Sequence, residues 1–99
     1  MLRHIVMFSW KEGVSAKDVI DVSAALDEMA QQISSIRTFL HGSDLGISAG
    51  NCDYVVCADF DDLEGYENYR DHPQHQSVVA NVIAPRMSSR NAVQVSVEP

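Results

Sequence analysis

The stretch L-R-H-I-V-M-F-S-W-K, Leu2 to Lys11, decides the fold. Side chains alternate sides along a strand, so His4, Val6, Phe8 and Trp10 share one face. Ile5 and Met7 share the other with Arg3, Ser9 and Lys11. Both faces carry large apolar groups at mid-strand, the pattern of a strand covered twice. A chain of 99 residues buries only about 60–65% of its unfolded surface and is marginal alone. With 45% hydrophobic residues, it is expected to cover one face of this strand with its own helices and the other with a partner subunit.

Downstream, Glu12-Gly13-Val14 reads as a turn and Ser15 as a helix N-cap, with Asp18 three residues on. Val19, Val22, Leu26, Met29 and Ile33 then recur at spacings of three and four, which predicts a helix to about Gln32 with a core-facing stripe. Ile36 to about Leu45 reads as a second strand. Gly42 and Gly46 mark either a bulge or the strand end. Cys52 to Phe60 reads as a third strand, with Tyr54, Val56, Ala58 and Phe60 on one face. Cys52 and Cys57, five apart on that strand, would point to opposite faces and could not bridge. Both read as small packing residues. Asp61 or Asp62 caps the next helix, where Leu63, Tyr66 and Tyr69 supply apolar surface. Val78, Val79, Val82 and Ile83 make a further apolar stripe, ended by Pro85. Asn91 to Val97 alternates as a fourth strand.

The order strand, helix, strand, strand, helix, strand is the α+β ferredoxin-like βαββαβ arrangement, one domain spanning residues 1–99. Four antiparallel strands carry both helices on one face. The other face would be a bare greasy sheet, which a two-fold homodimer resolves as a dimeric α+β barrel.

Net charge is −7, from 14 acids against 7 Lys plus Arg. No basic patch is visible, which argues against nucleic acid and against anionic membrane surfaces. No apolar run is long enough to span a membrane, and Met-Leu-Arg-His lacks a signal-peptide core, so a cytoplasmic location is expected. Asp59, Asp61, Asp62, Glu64 and Glu67 crowd together. A hard metal could bind such a cluster, but no defined ligand spacing exists, and helix-start acids are the expected role.

The most specific chemistry lies in Y-E-N-Y-R-D-H-P-Q-H-Q-S-V-V-A-N-V-I-A, Tyr66 to Ala84. Pro73 disfavours a helical His72 and suits the first position of a new helix. His72 becomes the N-cap, with His75 in the first turn. Tyr69 and His75 are six apart and would diverge on one unbroken helix. The break frees both to meet at one pocket. A helix start also disfavours positive charge, which keeps His75 neutral, the form a general base needs. Two readings stand: a Tyr-His pair that packs the helix break, and a reactive pair. His4, polar on an apolar face, is likewise either a hydrogen-bonded core histidine or a pocket wall.

The runs R-H-I-V-M-F (3–8), H-G-S-D-L-G (41–46), D-Y-V-V-C-A-D-F (53–60) and Y-R-D-H-P-Q-H (69–75) resemble the stress-responsive A/B barrel domain (Dabb) family, in family order across nearly the whole chain. The resemblance implies a homodimeric α+β barrel. The family is mixed: many members have no established activity, while one plant member, olivetolic acid cyclase, closes a linear poly-β-keto thioester by an intramolecular aldol step. By similarity its catalytic tyrosine falls on Tyr69, its catalytic histidine on His75, and a further pocket histidine on His4. A third-strand histidine of that enzyme falls at about Tyr54 here, a departure that alters the pocket.

What the resemblance implies is a cofactor-independent cyclase or lyase acting on a small hydrophobic, carbonyl-rich ligand. His75 would be the base and Tyr69 the donor to the developing enolate. Phe8, Trp10, Tyr66 and Val79 are candidate walls, and no metal or organic cofactor is required. The alternative is a non-catalytic stress-response or small-molecule-binding barrel. A dimeric-barrel monooxygenase is a third reading, with no residue that favours oxygen chemistry.

Overall fold

The computed structural model describes residues 1–99. Strand β1 (Leu2–Trp10) is followed by α1 (Ala16–Gln32), β2 (Thr38–Ser43) and β3 (Tyr54–Phe60). Helices α2 (Leu63–Asp71) and α3 (Pro73–Val78) come next, and β4 (Met87–Ser96) closes the chain. The sheet runs β2-β3-β1-β4 with every pairing antiparallel, the ferredoxin-like order with the first strand inside. Phe39, Ala58, His4 and Gln94 sit in one cross-sheet row. That row and the next, which carries Val56 and Val6, face the helices. There Val22, Leu26, Met29 and Ile33 of the α1 stripe close a core with Val6, Phe8, Val56, Ala58 and Phe60.

The opposite face presents the row Leu40, Cys57, Ile5, Val93. No helix covers it: Leu40 is 65% exposed and Val93 49%. Arg3 and Asp59 pair across this face at 2.7 Å, and Thr38 donates to the same carboxylate at 2.8 Å, tying three strands together. Only 14 of 99 residues are buried, so one subunit leaves an incomplete core with a sheet face open to solvent.

Local signals fix the elements. Ser15 accepts from the Asp18 amide, and the Asp18 carboxylate accepts from the Ser15 amide, a reciprocal capping box for α1. Asp62, rather than Asp61, caps α2 by accepting from Gly65 N at 2.9 Å. His72 stands extended between α2 and α3 and accepts from Gln74 N, with Pro73 opening α3. α3 then widens to a π-helical turn over Val79–Ile83, where Ala84 N–H donates to Val79 O. Pro85 explains the widening, because its ring cannot share a helix with the carbonyl four residues back.

Several sequence expectations need correction. Strand β4 begins at Met87, four residues ahead of Asn91, and carries a register shift opposite Ser9 and Trp10. Gly42 lies in regular β2 without a bulge. The strand ends are instead freed by Gly46, whose φ of 73° suits a residue without a side chain. Cys52 lies in the loop before β3, so it and Cys57 share no strand. Leu63 faces solvent at the start of α2. The acids near Asp59 do not converge. Asp59 is held by Arg3, Asp61 by Arg37, Asp62 by the α2 amide, and Glu67 lies 3.7 Å from Arg70.

Candidate functional site

Between the sheet and the helices lies a cavity of about 270 Å³. Val6, Phe8 and Val56 form its floor, and Leu26 and Met29 of α1 one wall. Tyr66 and Tyr69 of α2, His75 and Val78 of α3, and Val79 and Ile83 of the π turn form the opposite wall. His4 projects from β1 at its polar end, and Arg70, Met87 and Arg90 complete the lining. The helix break does the positioning. The Tyr69 and His75 ring centroids lie 4.2 Å apart, at 40° to each other.

His75 Nδ1 lies 3.0 Å from the carbonyl of Arg70. A carbonyl only accepts, so Nδ1 carries the proton and the Nε2 lone pair is left free. Burial pushes the His75 pKa down, against the opposing pull of that carbonyl. Desolvation thus favours the neutral ring, beside the position of His75 in the first turn of α3. Tyr69 is 3% exposed, and burial raises its pKa well above the usual phenol range, so its hydroxyl stays protonated. That hydroxyl has no partner within the chain, yet the one fully sealed, unpartnered side-chain polar atom is Ser35 Oγ. The Tyr69 hydroxyl therefore opens onto the cavity.

His4 is both of the things its sequence position allowed. It is 4% exposed, and Gln94 Nε2 donates to its Nδ1 at 2.9 Å, which places its own proton on Nε2. Burial lowers its pKa to about 4. Its ring centroid lies 5.1 Å from Tyr66 and 6.1 Å from Tyr69. One cavity thus holds a neutral imidazole with a free lone pair, a second imidazole with a free N–H, and an un-ionised phenol. Such a set can take a proton from carbon and donate to the oxygen that gains charge.

Of the residues expected at the site, His4, Phe8, Tyr66, Tyr69, His75 and Val79 line this cavity. Trp10 and Tyr54 do not. Trp10 stacks on Phe8 with centroids 5.9 Å apart and tilts against Tyr54 at 5.6 Å, in a cluster beyond the floor. The Tyr54 hydroxyl binds His41 Nδ1 at 2.7 Å, and His41 Nε2 binds Asp27 at 2.6 Å. Arg90 and Met87 also line the cavity, and both precede Asn91, where the alternation in the sequence places the start of β4. Extending the alternation Ser96, Gln94, Ala92 by one step reaches Arg90.

The model of the Stress Responsive A/B Barrel Domain family matches residues 2–97. The chain belongs to this family. A dimeric ferredoxin-like protein of unknown function from Thermobifida fusca is 38% identical to it with a TM-score of 0.91, over 97% of this chain and 90% of that one. A hydroxynitrile lyase from Passiflora edulis is 17% identical with a TM-score of 0.85, over 98% and 93% of the two chains. An antibiotic biosynthesis monooxygenase is 15% identical with a TM-score of 0.78, over the whole of both. The last two likenesses are of fold alone. No curated protein sequence matches this Dabb chain.

Proposed function

We propose that this Dabb protein is a homodimeric barrel whose cavity performs acid–base chemistry on a small, hydrophobic, carbonyl-rich molecule. The observation that carries the reading is that the His75 ring, its Nε2 unengaged within the chain, packs with its centroid 4.2 Å from that of Tyr69 on the lining of one apolar cavity. A carbon between two carbonyls is acidic enough for a neutral imidazole. His75 removes the proton, and Tyr69 donates to the enolate oxygen, with His4 Nε2–H as a second donor. The apolar walls fold the substrate on itself, so that the enolate carbon attacks a second carbonyl in an intramolecular aldol closure. Run in reverse, the same groups cleave a carbon–carbon bond, as in a lyase. Every step uses side chains of the chain itself. The homodimer is supported by the open Leu40–Val93 face and by the dimeric Thermobifida fusca relative.

A second reading has its own support. Tyr69 packs against Phe60, Tyr66 and His4 as well as His75, so the pair also serves the core of a binding or stress-response barrel. Fold does not choose between the two. The test is a thermal-shift screen of 1,3-dicarbonyl compounds, followed by turnover of the best binder by wild type, His75→Ala and Tyr69→Phe. Turnover lost in folded, dimeric variants that still bind supports the enzyme. Binding without turnover in wild type supports the binding barrel.

A further inference from the structure

Cationic side chains are scarce in this acidic chain, and most already have a partner. Arg3 pairs with Asp59, Lys17 with Asp21, Arg37 with Asp61, Arg70 with Asp71 and Glu67, and Arg86 with Asp18. Of the seven Lys and Arg residues, that leaves Lys11, just after β1, and Arg90, on β4, both exposed. Arg90 has no carboxylate within ion-pair distance and lines the cavity. Its place follows from register. Arg90 pairs with Phe8 across β1 and β4, so both side chains leave the helix-covered face of the sheet. Arg90 shares the cavity lining with His4, Tyr69 and His75. With those three groups neutral and Arg70 matched by its acids, Arg90 is the one uncompensated charge on the cavity.

We propose that Arg90 is a specificity-determining residue that receives the carboxylate of a small amphipathic acid, whose apolar chain lies against Val6, Phe8, Leu26 and Ile83. This rests on the reading of the cavity as a small-molecule site and narrows it: the carbonyl compound carries an anionic end. A guanidinium offers a carboxylate two parallel N–H donors; Arg90 is exposed, so water screens the pairing and its fork geometry carries the selectivity. A cavity of about 270 Å³ suits a short chain, since it lies near the lower end of about 300–1,000 Å³ for small-molecule sites.

The test is isothermal titration calorimetry of the full chain with octanoate and its neutral counterpart octanamide. Wild type is expected to bind octanoate about tenfold or more tightly than octanamide, with the preference shrinking as salt is raised. Arg90→Gln is expected to abolish the preference, weakening octanoate far more than octanamide, while Arg90→Lys keeps part of it. Equal affinity of wild type for the two probes overturns the proposal and leaves the cavity reading standing. So does a preference that survives in Arg90→Gln with its fold confirmed by circular dichroism. If neither probe binds wild type, the cavity reading falls and this inference with it.

Discussion

His75 can act as a base only while its ring is neutral, and burial sets its pKa below the ordinary 6.5. Any rate that depends on it should rise with pH through that depressed value and be flat at neutral pH. No alkaline fall should follow in the ordinary range, because Tyr69 ionises well above 10. A pH–rate profile checks this, with His75→Ala expected to lose about 10²–10⁴-fold. His4 makes a parallel prediction for stability. Its folded pKa of about 4 lies below the unfolded 6.5, so between these values the unfolded chain binds the extra proton. Stability is full above pH 6.5 and is lost as pH falls toward 4, on the order of 1–2 kcal/mol after allowance for solvent screening. Asp59 acts in a separate, lower window, from 3.8 down to about 2, because Arg3 holds its carboxylate ionised. Denaturant titrations at pH 7.5 and 4.5 should show the His4 loss in wild type and a smaller one in His4→Phe. At this scale the Tyr69–His75 meeting was legible, because Pro73 announces the break. The His75 tautomer was not, since it depends on a backbone carbonyl five residues back that only the folded turn presents.

Elements are held by caps whose strength can be read separately. Ser15→Ala removes one half of the α1 capping box, and Asp62→Ala removes the α2 cap. Each should cost about 1 kcal/mol in chemical denaturation, with the fold unchanged. α1 was readable because three signals agreed: Ser15, Asp18 and the spacing of Val22, Leu26, Met29 and Ile33. The start of β4 was not. Met87-Ser88-Ser89-Arg90 has no apolar alternation, and the register shift opposite Trp10 breaks what period there is. These residues form strand because they pair with the end of β1, a non-local cause that their own chemistry does not show. Arg90 was lost from the site for the same reason.

The molecule as a whole presents one sheet face with no cover of its own. The row Leu40, Cys57, Ile5, Val93 joins four strands across that face, and its two ends are the most open. Val93→Asp should therefore shift sedimentation from dimer to monomer and lower the Tm, which should also depend on protein concentration in wild type. The need for a partner was visible in Leu2–Lys11 alone, since Ile5 and Met7 lie opposite Val6 and Phe8. On the covered side, the same strand carries the floor of the cavity where proton removal is assigned. That assignment is tested most directly by deuterium uptake at the carbon between the carbonyls of methyl 3-oxooctanoate, followed by proton NMR in D₂O at low temperature. Saturable uptake above the buffer rate with wild type, and none with folded His75→Ala, is the predicted result; uptake at the buffer rate with wild type, or equal acceleration by His75→Ala, contradicts it.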